Sequence, residues 1–366
     1  MKQPVVLFYI SSHGLGHASR VAEIINAFAE RNPDAKIIVR TKAAQWFFNF
    51  TIKHAFEYYP IALDFGAVQD DYFAIDILAT LEKFKQFLSR KKDIIQEEVD
   101  FIRKSNVSII FADIPPFAFD IASAVGIQAI AHSNFSWDWI YTPYIKQYPQ
   151  FSDLIEEIRL SYRQAEVLLR LPMHGDMSVF PSIIDIPFVA RRSDREPAEI
   201  IKAIGLPTDK KLIFVSFGGI GISLDNLKPL KRLKDYTFIT TQPMEMDPEV
   251  VRQISNEELT KNNIRFEDLV HASDVILSKP SYGIISECIA NRTRFMYSER
   301  ADFIESEVLI EGVKKYLPYV EITREDLFTG NWEVYLEKVS GLSFNNELPP
   351  TNGAEVAAGI IEKYLQ

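Results

Sequence analysis

The segment that most constrains the fold is Ser11-Ser12-His13-Gly14-Leu15-Gly16-His17-Ala18-Ser19-Arg20. It follows an apolar run, Val5–Ile10, and leads into an amphipathic stretch, 21–29. A buried strand that stops at a glycine turn and opens a helix begins an α/β unit. Gly14 and Gly16 let a ligand approach the backbone with no Cβ in the way. The first N–H groups of the helix have no internal partner and attract anions. His13 and His17 flank the turn, and each can accept or release a proton near neutral pH. Arg20 adds a fixed positive charge. These residues predict a phosphorylated ligand at the top of the first strand. The dinucleotide fingerprint would need a third glycine where Ser19 stands.

Apolar runs alternate with helical patterns along most of the chain, which implies parallel sheets covered on both faces. Strands are expected at Val5–Ile10, 37–40, 107–112, 128–132 and 167–171, then at 212–217, 237–241, 264–266, 275–277 and 294–297. Apolar spacing predicts one long helix over 80–104 and further helices over 117–125 and 137–147. The proline-rich stretch 172–207, with the charged run Arg191–Glu196, reads as an interdomain connection. The expected organisation is one α/β domain over 1–185, a second over 186–350, and a C-terminal helix over 351–366, for which a return to the first domain is one option. In such sheets ligands collect beyond the carboxyl ends of the strands. Two domains facing across a cleft would each offer a glycine turn to it.

The second half carries its own turn, Gly218-Gly219-Ile220-Gly221, and the segment Ser278-Lys279-Pro280-Ser281-Tyr282-Gly283-Ile284-Ile285-Ser286-Glu287. Lys279, Ser281, Tyr282 and Gly283 are candidate phosphate contacts. Glu287 is an acceptor for both hydroxyls of a ribose, since a carboxylate accepts two hydrogen bonds at once, or else a solvated helix residue or an ion-pair partner. In the first half, Asp113 ends a strand. His132, Asn134 and Trp137 end the next one with the mixed polar and aromatic character that suits a sugar or ring-bearing acceptor.

The chain of 366 residues has 40 basic and 50 acidic residues, net −10, which argues against a nucleic-acid partner. Its one cysteine, Cys288, rules out an intrachain disulfide and fits a reducing, cytoplasmic setting. No run approaches the roughly 20 apolar residues of a membrane span. No metal-ligand spacing is legible, and neither metal nor cofactor is expected.

These motifs resemble those of the GT-B glycosyltransferases, in particular the branch containing the N-acetylglucosaminyltransferase of lipid II synthesis. Gly16-His17-Ala18-Ser19-Arg20, Tyr282–Glu287 and Arg300-Ala301-Asp302-Phe303 are similar to the glycosyltransferase-like N-terminal domain of plant L-arabinokinase. The resemblance implies two Rossmann-like domains and a nucleotide-diphosphate sugar donor, UDP-linked by default. It also implies transfer to an acceptor, here expected to be small and soluble. His17, His13 or Asp113 would serve as general base. The chain departs from the pattern where the family threonine is replaced by Ile284. It departs again where the family's glutamine pair is replaced by Asp302, Glu305 and Glu307, of which Asp302 and Glu305 are candidate sugar contacts. Hydrolysis of a nucleotide sugar, with His17 activating water, and binding without turnover stand as alternatives.

Overall fold

The computed structural model describes residues 3–68, 75–218, 224, 226–242, 249–298, 303–344 and 347–366. Of these, residues up to Val189 together with Pro350–Gln366 form one unit, and Ala190–Pro349 form the other.

The first unit is built on a seven-stranded sheet. Its strands are β1 (Val5–Ile10), β2 (Lys36–Arg40), β3 (Glu57–Tyr59), β4 (Ile109–Asp113), β5 (Ala129–Ser133), β6 (Val167–Arg170) and β7 (Ile183–Asp185). The order is β3-β2-β1-β4-β5-β6-β7, with every pair parallel. All six residues of β1 are buried, as a strand covered on both faces requires. The chain order reverses beside β1, and there the register sets Ile10 opposite Asp113. The loop after β1 and the last residue of β4 therefore meet at one end of the sheet.

The second unit repeats the plan with β8 (Lys211–Val215), β9 (Tyr236–Thr240), β10 (Val251–Gln253), β11 (Val275–Ser278), β12 (Arg294–Tyr297) and β13 (Tyr319–Glu321). The order is β10-β9-β8-β11-β12-β13, again parallel throughout. Trp332, Leu327 and Leu336 close its core beneath Phe238 and Val320.

Three expectations are corrected. The stretch 80–104 is two helices, Ile77–Ser89 and Lys91–Ser105, broken at Arg90, with Asp76 capping the first by accepting from the Ala79 N–H at 2.8 Å. Residues 264–266 are not a strand. Phe266 opens the helix Phe266–Ala272, where the Asp268 carboxylate accepts from the Arg265 N–H at 2.9 Å. The proline-rich stretch contains β7 and the helix Pro197–Ala203. The strands not expected from the pattern, β3, β7, β10 and β13, are the sheet edges, each three residues long and too short to alternate visibly.

The last helix, Gly353–Leu365, packs on the helix Leu15–Arg31 through buried Ala357, Ala358 and Ile361. Glu362 accepts from Arg31 Nε and Nη2 at 2.7 and 2.6 Å. Its first residue must be small, since a Cβ at Gly353 would lie 2.2 Å from the Pro187 carbonyl oxygen.

Candidate active site

The turn after β1 is exposed along Gly14-Leu15-Gly16, and Gly14 takes φ +84°, which side-chain-bearing residues rarely adopt. A helix follows at once. His17 and Arg20 lie three residues apart on it and so share a face. Both point at Asp113, the last residue of β4, which is fully buried. His17 Nδ1 is 2.9 Å from Asp113 Oδ1. Arg20 donates from Nε to Oδ2 at 2.6 Å and from Nη2 to Oδ1 at 2.5 Å. It also donates to Asn134 Oδ1 at 2.8 Å and Ser133 Oγ at 3.1 Å. On β5, His132 Nδ1 is 3.2 Å from Asp113 Oδ2.

Burial alone would push the Asp113 carboxyl up. Arg20 and His17 beside it, with hydrogen bonds from Arg20 and His132, outweigh that and hold it well below the usual carboxylate range. Burial lowers His132, only partly offset by Asp113, which favours a neutral ring donating its Nδ1–H. Arg20 Nη2 is also 3.1 Å from His17 Nδ1. Both of its protons already have acceptors in Asp113 and Ser133. The carboxylate can only accept, so His17 places its proton on Nδ1 and leaves Nε2 able to take one.

This geometry reassigns several expected roles. Arg20 lies inside, gripping Asp113, and does not stand as a loose cation at the turn. Asp113, held ionised, is a weak base and an orienting group. His132 and Asn134 are fully buried supports of that network and present no face to an acceptor. Trp137 is also buried, and its Nε1–H donates to Asp64 at 3.1 Å. His13 stands edge-on to the Trp137 ring with centroids 5.8 Å apart, and Gly66 lies against its imidazole. Asp64, which the sequence pattern gave no reason to single out, is a second buried carboxylate near His17. Burial raises its pKa, and Ser11, His17 and Trp137 pull the other way.

In the second unit, Gly218 follows β8 with φ +83°, and the Lys279 side chain lies beside it, its Nζ 3.8 Å from where a Cβ would be. Ser278, the end of β11, donates to the Ser216 carbonyl across the sheet at 2.5 Å. Ser281 is the N-cap of the helix Tyr282–Asn291, with no side-chain cap bond. The surroundings of Gly283 are open where a Cβ would point. Glu287 is buried and paired with Arg191. Glu305 sits half-buried in the first turn of the helix Ile304–Tyr316. Gly219, Gly221 and Asp302 lie outside the described residues.

No family model matches the chain. It is 29% identical over 368 residues to L-arabinokinase of Arabidopsis thaliana, a likeness that takes in 99% of this chain and 34% of that protein. The chain thus spans about a third of the length of this curated relative. Among solved structures it is similar to CalG4, the calicheamicin glycosyltransferase, at TM-score 0.61 and 13% identity, covering 100% of this chain and 99% of that one. It is also similar to UGT89C1 of Arabidopsis thaliana, solved with UDP-L-rhamnose, at TM-score 0.60 and 15% identity, covering 99% and 94%. None of these likenesses is to the lipid II branch. By architecture, two all-parallel α/β units with the switch point of each sheet at its central strands, this chain has the GT-B fold of the glycosyltransferases.

Proposed function

We propose that this protein transfers a sugar from a nucleoside diphosphate sugar, UDP-linked in our reading, to the hydroxyl of a small soluble acceptor. The observation that carries the reading is the His17–Asp113 pair at the carboxyl end of a parallel sheet, within a fold shared with glycosyltransferases.

His17 Nε2 takes the acceptor's hydroxyl proton as that oxygen attacks the anomeric carbon. The bond from that carbon to the diphosphate oxygen breaks, and the nucleoside diphosphate leaves with the electron pair. Asp113 fixes the His17 tautomer and stabilises the imidazolium that forms. On the second unit, Lys279, the Gly218 turn and the N–H groups that open the helix after Ser281 are the positive charge and donors suited to a diphosphate. These groups make a metal unnecessary in this reading. The structure of UGT89C1 with UDP-L-rhamnose and the similarity of the folds support UDP as the first nucleotide to try.

A thermal-shift screen against UDP, UDP-sugars and other nucleoside diphosphates tests the reading, because a ligand that binds only the folded state raises the melting temperature. A shift with UDP that is lost in Glu287→Ala supports it, and donor consumption that depends on an added acceptor then separates transfer from hydrolysis. No shift with any nucleotide overturns it.

A further inference from the structure

Arg191 and Ser193 lie in the stretch that reads in the sequence as an interdomain connection, yet both are buried and bonded within the second unit. Arg191 and Ser193 are 8% and 4% exposed. Arg191 donates from both Nε and Nη2 to Glu287 Oε1, at 2.7 and 2.5 Å. Its Nη1 lies 3.3 Å from Glu267 Oε2, and Arg265 Nε lies 3.0 Å from Glu267 Oε1. The guanidinium rests on the face of Phe266, 5.4 Å from the ring centre. The main chain is pinned as well. Asn291 Nδ2 donates to the Arg191 carbonyl at 3.0 Å and to the Glu287 carbonyl at 2.9 Å. Ser193 donates its N–H to Asn291 Oδ1 at 3.0 Å and its hydroxyl to Asp268 Oδ1 at 2.5 Å.

We infer that Arg191 is a positioning residue for nucleotide recognition, holding the Glu287 carboxylate in the orientation from which it accepts the hydroxyls of a ribose. The inference rests on the reading of Glu287 as a nucleotide contact. A carboxylate accepts at about four positions. Arg191 donates twice to one oxygen of Glu287 and so restrains the carboxylate. A buried charge without a partner is expelled from the interior or neutralised, and a neutral carboxyl loses acceptor capacity. Here two arginines balance two glutamates, Arg191 with Glu287 and Arg265 with Glu267, and Arg191 bridges them. A shape-filling apolar residue would serve packing at least as well. A charged fork on Glu287 fits a need to hold that carboxylate in one orientation. The helix that carries Glu287 begins at Ser281, so the carboxylate and the proposed phosphate contacts belong to one rigid element.

The test is calorimetric titration of the full chain with UDP and with 2′-deoxy-UDP. The wild-type protein should bind UDP about tenfold or more tightly than its 2′-deoxy form, the effect expected of a hydrogen bond to a charged group. Arg191→Met should weaken UDP about tenfold and leave 2′-deoxy-UDP within about twofold, so that the discrimination collapses. Glu287→Gln should collapse it too. Equal weakening of both nucleotides by Arg191→Met would assign Arg191 to the fold alone and overturn the inference. So would unchanged binding in Arg191→Met alongside lost discrimination in Glu287→Gln. Should Arg191→Met fail to fold, Arg191→Lys decides. A lysine keeps the charge without the planar fork, so discrimination must fall, and its persistence overturns the inference. Failure of the underlying reading looks different: the wild-type chain binds no UDP, or Glu287→Gln changes neither nucleotide.

Discussion

Arg20 grips Asp113 with two parallel hydrogen bonds, Nε to Oδ2 at 2.6 Å and Nη2 to Oδ1 at 2.5 Å, with both side chains out of water. The pair ties the first helix to the end of β4 and fixes the carboxylate against which His17 is set. Removing one partner strands a buried charge. Arg20→Met should therefore destabilise the first unit by about 3–5 kcal/mol. Equilibrium unfolding in urea will report it as a lower midpoint. Arg20→Met combined with Asp113→Leu should cost less than the two single changes added together, because neither charge is then left alone.

The same pair sets a pH dependence. Asp113 has a folded pKa well below its usual value, while the unfolded chain titrates near about 4. The stability it contributes is present above that value and is lost as pH falls toward the folded value. Asp64 runs the other way. Its folded pKa is raised, so its contribution is full at low pH and is lost as pH rises through the folded value. Urea midpoints measured against pH should fall below about pH 4 in the wild-type protein. Asp113→Asn should flatten that fall, and Asp64→Asn should leave it in place.

His17→Ala should lower turnover by about a hundredfold or more, the range of a lost general base, with UDP affinity unchanged within about twofold. Steady-state kinetics together with calorimetry separate the two quantities. A matching loss in both would make His17 a binding residue.

Gly16 and Gly283 each have open space where a Cβ would point, and neither has a positive φ. Both lie in the first turn of a helix. Gly16→Ala and Gly283→Ala should hold or raise stability by about 0.5–1 kcal/mol. If ligand approaches the backbone there, both should weaken its binding. Gly66→Ala is the contrast, since its Cβ would fall 2.0 Å from His13 Nδ1. It must displace that ring, at about 1–3 kcal/mol. Melting curves with and without UDP distinguish the two cases.

Ile361 is fully buried where the last helix meets the first. Ile361→Ala should cost about 2–5 kcal/mol, read from the urea midpoint. The first helix carries His17 and Arg20, so the loss should extend to turnover at temperatures near the melting point.

Much of the frame is legible in the residues. The apolar run of β1, the glycine turn and the amphipathic start of the first helix announce a parallel α/β unit, and the second half repeats the pattern. The interior strands β1 and β12 and the helices Phe117–Val125 and Trp137–Gln147 stand where periodicity sets them. Periodicity fails at Arg90, where one helical pattern spans two helices, because a break between helices of similar phase leaves the apolar spacing intact. It fails at the sheet edges, where three residues are too few to show a period. Asp64 is not legible in the sequence, because one aspartate in a loop carries no pattern.

The sequence by itself determined the class of fold and the places where backbone and histidine are offered to a ligand. Those are properties of neighbours along the chain: strand, turn and helix within some twenty residues. Only the tertiary structure decided what each charged side chain does. Arg20 meets Asp113 across 93 positions and Arg191 meets Glu287 across 96. In each case a cation that could have faced a ligand is turned inward to compensate a buried carboxylate. The reason is electrostatic: a carboxylate folded out of water needs a partner, and the partner is chosen by proximity in space, which the linear order of residues does not contain.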